Sequence, residues 1–171
     1  RDWVADPRSP LYSNPGVSNL RCLVDALHCL DLGILQSIIP SAMLELTEEG
    51  VWPGASRADR YLEAHKDYTL WCHTRNEVPA PRFVDSKWCP DGNFPMLSQT
   101  LAKGHQTRMM QFWLRDVCSR PRVTRNAHGR IRRALFEALA TYDEVCSRNT
   151  RFIVTEDLEV LKDAAECALV C

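Results

Sequence analysis

The sequence predicts an all-α protein, an irregular bundle of about five helices with a proline-rich loop between the second and third long helices. Apolar residues recur at three- and four-residue spacing in several long segments, as they do in amphipathic helices. Only 7 glycines interrupt the chain, and most of its 10 prolines lie outside the periodic segments, with Pro40 and Pro121 as exceptions. Hydrophobic residues make up 45% and charged residues 25%, a balance that excludes a wholly disordered chain.

The first helix is predicted to begin near Leu20, with Ser18 or Asn19 as its N-cap. Its apolar positions are nearly continuous, so we expect it to be central and buried. Pro40 is expected to kink this helix or to split it in two, because proline removes one backbone hydrogen bond and clashes with the preceding turn. The second piece should end at Gly50, a residue type that favours the left-handed conformation after a helix.

The second helix is predicted over residues 56–71, with Ser56 as its N-cap. Residues 74–95 follow and contain four prolines. That composition predicts a loop, with room for a short extended element at residues 81–84.

Three further helices are predicted in the second half of the chain. The third spans residues 98–118, with Ser98 as its N-cap, and Pro121 ends that element. The fourth runs over residues 127–146. The fifth begins at Thr155 and carries acidic residues in its first turn, where they oppose the positive end of the helix dipole.

The pattern divides the chain into an irregular N-terminal arm, residues 1–17, and a single helical domain, residues 18–171. The N-terminus has neither an initiating Met nor an apolar signal segment, and the C-terminus still follows an apolar helical pattern. We therefore interpret the chain as a fragment of a larger intracellular protein. No segment approaches the roughly 20 apolar residues of a membrane helix, so no membrane partner is expected.

Eight cysteines raise the question of disulfides or metal sites, but no C-x-x-C pair is present. We predict buried reduced thiols and no cofactor, because five cysteines sit among apolar residues at helical spacing: Cys22, Cys29, Cys118, Cys146 and Cys167. A zinc-binding alternative would use His28, or a knuckle built from Cys72, His73, Asp85 and Cys89, but the irregular ligand spacing argues against it.

Basic residues are concentrated between residues 103 and 133, where nine Lys or Arg face one acid, for a local charge of +8. Arginine forks contact phosphate oxygens in pairs, so this block predicts contact with a nucleic-acid backbone. The alternative is a solvated junction that pairs with the acidic C-terminal helices. The candidate binding residues are Lys103, Arg108, Arg115, Arg120, Arg122, Arg125, Arg130, Arg132 and Arg133.

Asp25 and His28 form the most specific local motif. A spacing of three on a helix places both side chains on one face, where the carboxylate can orient the imidazole. Such a pair can serve as a general base, as a metal ligand with its supporting carboxylate, or as a structural brace. No glycine-rich phosphate loop, G-x-S-x-G or H-E-x-x-H motif is present, so nothing specifies a nucleophile.

Three segments carry a family resemblance. Residues 21–36, RCLVDALHCLDLGILQ, resemble the D-x-M-H-x-x-x-L-G stretch of CACTA and hAT-like cut-and-paste transposases, which have an RNase H-like core. Residues 94–103, FPMLSQTLAK, together with Arg108 and Trp113, resemble a downstream F-P-x-L-S-x-K-A-x-x-x-R segment of transposon-derived proteins that are abundant in dinoflagellate genomes. Residues 128–142 resemble the helix that follows it.

The resemblance implies a helical insertion domain beside an RNase H-like core. Asp25 and His28 match the Asp-x-x-His motif, which in those families supports the active site and does not bind the catalytic metals. Two-metal phosphoryl chemistry needs convergent carboxylates, and none that match the core are identifiable in this chain. We therefore expect a non-catalytic helical domain that contacts DNA or RNA backbone and is located in the nucleus. The alternative is a helical interaction or structural subunit of a larger assembly with no nucleic-acid role.

Overall fold

The computed structural model describes residues 27–89, 94–149 and 153–171, with side chains described from residue 30 onward. The described chain is helical and contains no strand, which confirms the predicted all-α class. A π-helical segment, Leu27–Ile34, continues directly into α1, and the helices that follow it pack around one shared core. The helices are α1 (Leu35–Glu48), α2 (Arg57–His73), α3 (Asp85–Trp88), α4 (Gly104–Cys118), α5 (Ala127–Arg148) and α6 (Thr155–Val170).

Pro40 does not split the first helix. The helix runs through it, so of the two expected outcomes, a kink or a split, the split was wrong. Proline has no amide hydrogen, and the carbonyl of Gln36, four residues earlier, therefore lacks its intrahelical donor. The backbone amide of Leu97 supplies a replacement and donates to the Gln36 oxygen at 2.7 Å. The distant segment after α3 thus satisfies the backbone group that Pro40 leaves free.

The turn between α1 and α2 uses the local signals that the sequence predicts. Gly50 has a φ of 69°, and its amide donates to the Thr47 carbonyl while the Val51 amide donates to Leu46. This pair of bonds is the Schellman motif that closes a helix C-terminus. Ser56 then caps α2, as predicted, and Asp59 completes a reciprocal capping box with it.

The start of α4 differs from the prediction. Ser98 does not cap it; the helix begins at Gly104, and Gln106 accepts a hydrogen bond from the Lys103 amide at 3.0 Å. The residues in between form a turn in which the Ser98 carbonyl accepts from the amides of Leu101 and Ala102. Leu97 and Ala102 are buried on either side of that turn. Packing of these two side chains, and not the local capping signal, decides where the helix begins.

An aromatic cluster fills the core between α2, α4 and the connection that joins them. Trp113 of α4 lies 5.6 Å from Trp52, 5.3 Å from Tyr68 and 6.0 Å from Phe83, measured between ring centroids. Phe83 in turn lies 4.4 Å from Trp88 of α3. The proline-rich connection therefore contributes two aromatic anchors to the centre of the protein.

The two C-terminal helices form an antiparallel pair, and their positions confirm the predicted fourth and fifth helices. Asn126 caps α5 by accepting from the Gly129 amide at 2.6 Å. Only Leu161 and Ala164 of α6 are buried, so this helix lies at the edge of the fold.

The six cysteines in the described part of the chain are free thiols, whereas Cys22 and the side chain of Cys29 lie outside it. Burial raises the pKa of the Cys118 thiol to about 12, which keeps it protonated at neutral pH. Within the described residues, no helix combines the length and hydrophobicity that a membrane span requires.

Candidate nucleic-acid interface

The Asp25–His28 motif lies outside what the structure describes, because Asp25 and the side chain of His28 are not among the described groups. Its role as a supporting pair stays a prediction. The zinc-knuckle residues make other contacts: Cys89 lies 3.5 Å from the Tyr61 hydroxyl, and Asp85 pairs with Arg57 at 3.3 Å.

Arg132 is the most deeply buried of the nine predicted binding residues, with 4% of its surface exposed. Its guanidinium donates to Glu45 at 2.8 Å and to Glu49 at 2.7 Å, which ties α5 to the end of α1. His128 shares the same Glu45 oxygen at 2.9 Å. This arginine holds two helices together and is not placed to reach an external phosphate.

Three more of the nine form ion pairs inside the fold. Arg108 contacts Asp31 at 2.9 Å and Asp143 at 3.3 Å, and Arg115 contacts Glu144 at 2.6 Å. Arg120 contacts Asp67 at 2.7 Å, and the same carboxylate oxygen accepts from the Trp52 ring nitrogen. Arg108 and Arg115 therefore pair with α5, as the alternative of pairing with the C-terminal helices predicts. The acids that pair with Arg120 and Arg132 instead lie on α2 and at the end of α1.

The loop between α4 and α5 is fixed by the residues around it. One nitrogen of Arg122 donates to the carbonyl oxygens of Gly50 and Val51 at the end of α1. Inside the loop, the Val123 carbonyl packs directly against Gly129 in the first turn of α5, so closely that a β-carbon at position 129 would overlap it. The loop that carries Arg122 and Arg125 is thus held from both sides, and these residues have a defined position.

Four of the nine basic side chains have neither an ion pair nor a hydrogen-bond partner of their own among the described residues. Lys103 is one of them, but it precedes α4, roughly 22 Å of helix away from the loop at its other end. The other three follow Arg122 in the chain: Arg125 lies in the same loop, and Arg130 and Arg133 lie in the first two turns of α5. Arg122 itself bonds only to carbonyls. We call these four arginines the basic corner: Arg122, Arg125, Arg130 and Arg133.

The basic corner is electropositive for two reasons. Arg122, Arg125, Arg130 and Arg133 are exposed, and no carboxylate in the described part of the chain forms an ion pair with them. They also surround the start of α5, where the aligned backbone dipoles leave a partial positive charge. Between the loop and the end of α1 lies a polar hollow of about 310 Å³, lined by Arg122 and Arg125 and also by Glu49, whose carboxylate is paired with Arg132.

The corner carries no aromatic side chain on which a base could stack, and in the described residues no three His, Cys, Asp or Glu side chains are grouped to hold a metal ion. The chemical groups that the corner offers are its exposed guanidinium groups. The sequence alone did not identify Gly129 as the residue that lets the loop approach α5. The available signal was weak: a capping Asn126 followed three residues later by glycine.

Comparison of the chain with protein-family models, with curated proteins and with solved structures gives no match.

Proposed function

We propose that the chain is a non-catalytic helical domain of a transposase-like protein and that it contacts the backbone of a nucleic acid through the basic corner. The observation that carries the proposal is the set of arginines without carboxylate partners around the start of α5. A fixed loop presents two of them, so little backbone freedom is lost when phosphates bind. The proposal narrows the nine predicted contacts to four.

This proposal predicts a moderate salt dependence. The logarithm of the binding constant for duplex DNA falls by about 0.9 per neutralised phosphate for each unit of log salt concentration, so four contacts give a slope of roughly −3.6. Nine contacts would give roughly −8. The slope, measured by fluorescence anisotropy with labelled duplexes of unrelated sequence, distinguishes the narrowed site from the full basic block.

Removing three corner charges should flatten that slope. The triple variant Arg125→Ala, Arg130→Ala, Arg133→Ala is expected to reduce it by about 2.7 without changing sequence preference, because backbone contacts do not read bases. Alanine suits the helical positions, so the fold should be retained. A matched control removes three exposed basic residues elsewhere: Arg82→Ala, Lys87→Ala and Lys162→Ala. The proposal would be contradicted if both triple variants reduced the salt slope equally, or if the parent chain did not bind nucleic acid at low salt.

A second candidate function, a protein-interaction subunit, is favoured by the surface of α6. Leu158 is 54% exposed and Leu169 is 86% exposed, Ala165 lies on the same stripe of the helix, and the exposed Val154 directly precedes it. The rest of the helix is acidic, with five carboxylates and one lysine between residues 155 and 170. An apolar stripe flanked by negative charge fits a basic amphipathic helix of a partner protein.

The role of the α6 surface can be tested by replacing its exposed leucines with polar residues. If it is an interaction face, the purified chain should self-associate or bind basic amphipathic peptides, and the double variant Leu158→Gln, Leu169→Gln should lose that association at unchanged thermal stability. Sedimentation velocity measures self-association, and calorimetry with a designed basic helix measures peptide binding. Gln replacements at Glu159 and Glu166 keep the apolar stripe and serve as the charge control. A chain that stays monodisperse and does not bind such peptides would exclude this function.

A further inference from the structure

A second charged cluster, apart from the basic corner, lies where the first helix meets α4 and α5. Arg108 of α4 donates to Asp31 of the π-helical segment at 2.9 Å, and its Nε lies 3.3 Å from Asp143 of α5. The two aspartate side chains are only 4% and 9% exposed. Three separate elements therefore bring their polar groups to one point, where both carboxylates are buried and the Arg108 side chain stays 30% exposed.

Among the described residues the cluster is unbalanced in charge. Two buried carboxylates share one guanidinium, and the Arg108 Nε makes no properly oriented hydrogen bond, so in the described part of the chain Asp143 is held by charge attraction alone. The described titratable groups nearby do not correct the imbalance. From α4, His105 faces Asp31 but is itself bonded to Glu77, and on α5 Glu144 and Cys146 lie beside Asp143.

We propose that Asp31, Arg108 and Asp143 form a proton-operated clasp on the first helix. The carboxyl group of Asp143 holds a proton in the closed clasp, so that one carboxylate, Asp31, pairs with one guanidinium. When the pH rises, Asp143 releases that proton to solvent. Two mutually repelling carboxylates then remain on a single arginine, and the attachment of the first helix to α4 and α5 weakens.

The direction of the pH effect follows from burial. Burial raises the pKa of both Asp31 and Asp143 above the ordinary value of 3.8, and the charge of Arg108 offsets this only in part. A carboxyl group with a raised pKa in the folded state binds its proton more tightly there than in the unfolded chain. Its contribution to stability is therefore fully present below pH 3.8 and is lost as the pH rises through the folded-state pKa.

Asp143→Asn tests the clasp, because the amide imitates the protonated acid at every pH. The melting temperature of the parent chain should fall as the pH rises through the folded-state pKa of Asp143, which lies above 3.8, and in the variant this fall should shrink by roughly half or more. Above that pKa the variant should be at least as stable as the parent. Glu137→Gln on the same helix is the matched control, since Glu137 is exposed and without an ion pair in the described residues.

A direct measurement keeps the test valid even if the variant folds poorly. Carboxyl-carbon NMR of the parent chain, labelled at aspartate, should show at least one resonance that titrates above the ordinary value. Ordinary titration of every aspartate would overturn the proposal, as would an Asp143→Asn variant that loses the same stability below and above the folded-state pKa of Asp143. Neither readout involves nucleic acid, so the clasp can fail or hold independently of the basic corner.

Discussion

Replacing Trp113 with alanine is expected to lower the free energy of unfolding by about 3–5 kcal/mol, the usual cost of emptying a buried aromatic site. Trp113 is fully buried and contacts three other rings, Trp52, Tyr68 and Phe83, which come from separate parts of the chain. Its removal leaves a cavity that these rigid rings cannot close. Denaturant unfolding should show a lower midpoint at an unchanged slope, which identifies a loss of stability alone.

Phe112→Ala is the control for that loss. Phe112 precedes Trp113 on the same helix, but it is only half-buried and packs under the Arg115 guanidinium at the surface. Its truncation should cost well under half as much. If the two variants lose equal stability, the aromatic cluster is not the centre of the core.

Gly129→Ala is expected to destabilise the protein by about 1–3 kcal/mol, the typical cost of forcing an extra carbon into a packed site. The new β-carbon would overlap the Val123 carbonyl, which is backbone and cannot rotate away. The α4–α5 loop must therefore shift and carry Arg125 with it. Nucleic-acid affinity should fall together with stability, although no charge has been removed.

The sign of that change makes the test decisive. Glycine-to-alanine replacement on an open helix surface stabilises a protein by up to about 1 kcal/mol. A Gly129→Ala variant with unchanged or higher melting temperature would show that the loop does not pack on the helix as described. Ser147→Ala, an exposed position late in α5, controls for the general effect of adding a helix-favouring residue.

The fold was predictable wherever its signals are local. Ser56 and Asp59 cap α2 through each other, and Gly50 closes α1 through its own backbone angle, so both are readable from a few neighbouring residues. Ser98 carries an equally good local signal but does not cap α4, because Leu97 and Ala102 pack into the core and hold the chain in a turn. Burial of side chains in a core built from distant parts of the sequence outweighs an N-cap, which contributes about 1 kcal/mol.

The basic block illustrates the same limit for the candidate site. Its composition predicts a positive surface, but which arginines are free depends on where the acids lie after folding. Arg132 finds Glu45 across 87 residues of sequence, and Arg120 finds Asp67 across 53. No spacing rule relates such partners. The sequence could therefore identify the block, while only the structure separates the arginines that brace helices from those of the basic corner.

The hydrogen bond between the Leu97 amide and the Gln36 carbonyl has a consequence for how the protein folds. Because Pro40 supplies no donor, the first helix cannot complete its own backbone ladder, however favourable its sequence. All of its backbone carbonyls have hydrogen-bond donors only after the segment that follows α3 has packed against it. The first helix and that segment should thus form and open as one cooperative unit, and a contact of such long range places their assembly late among folding events.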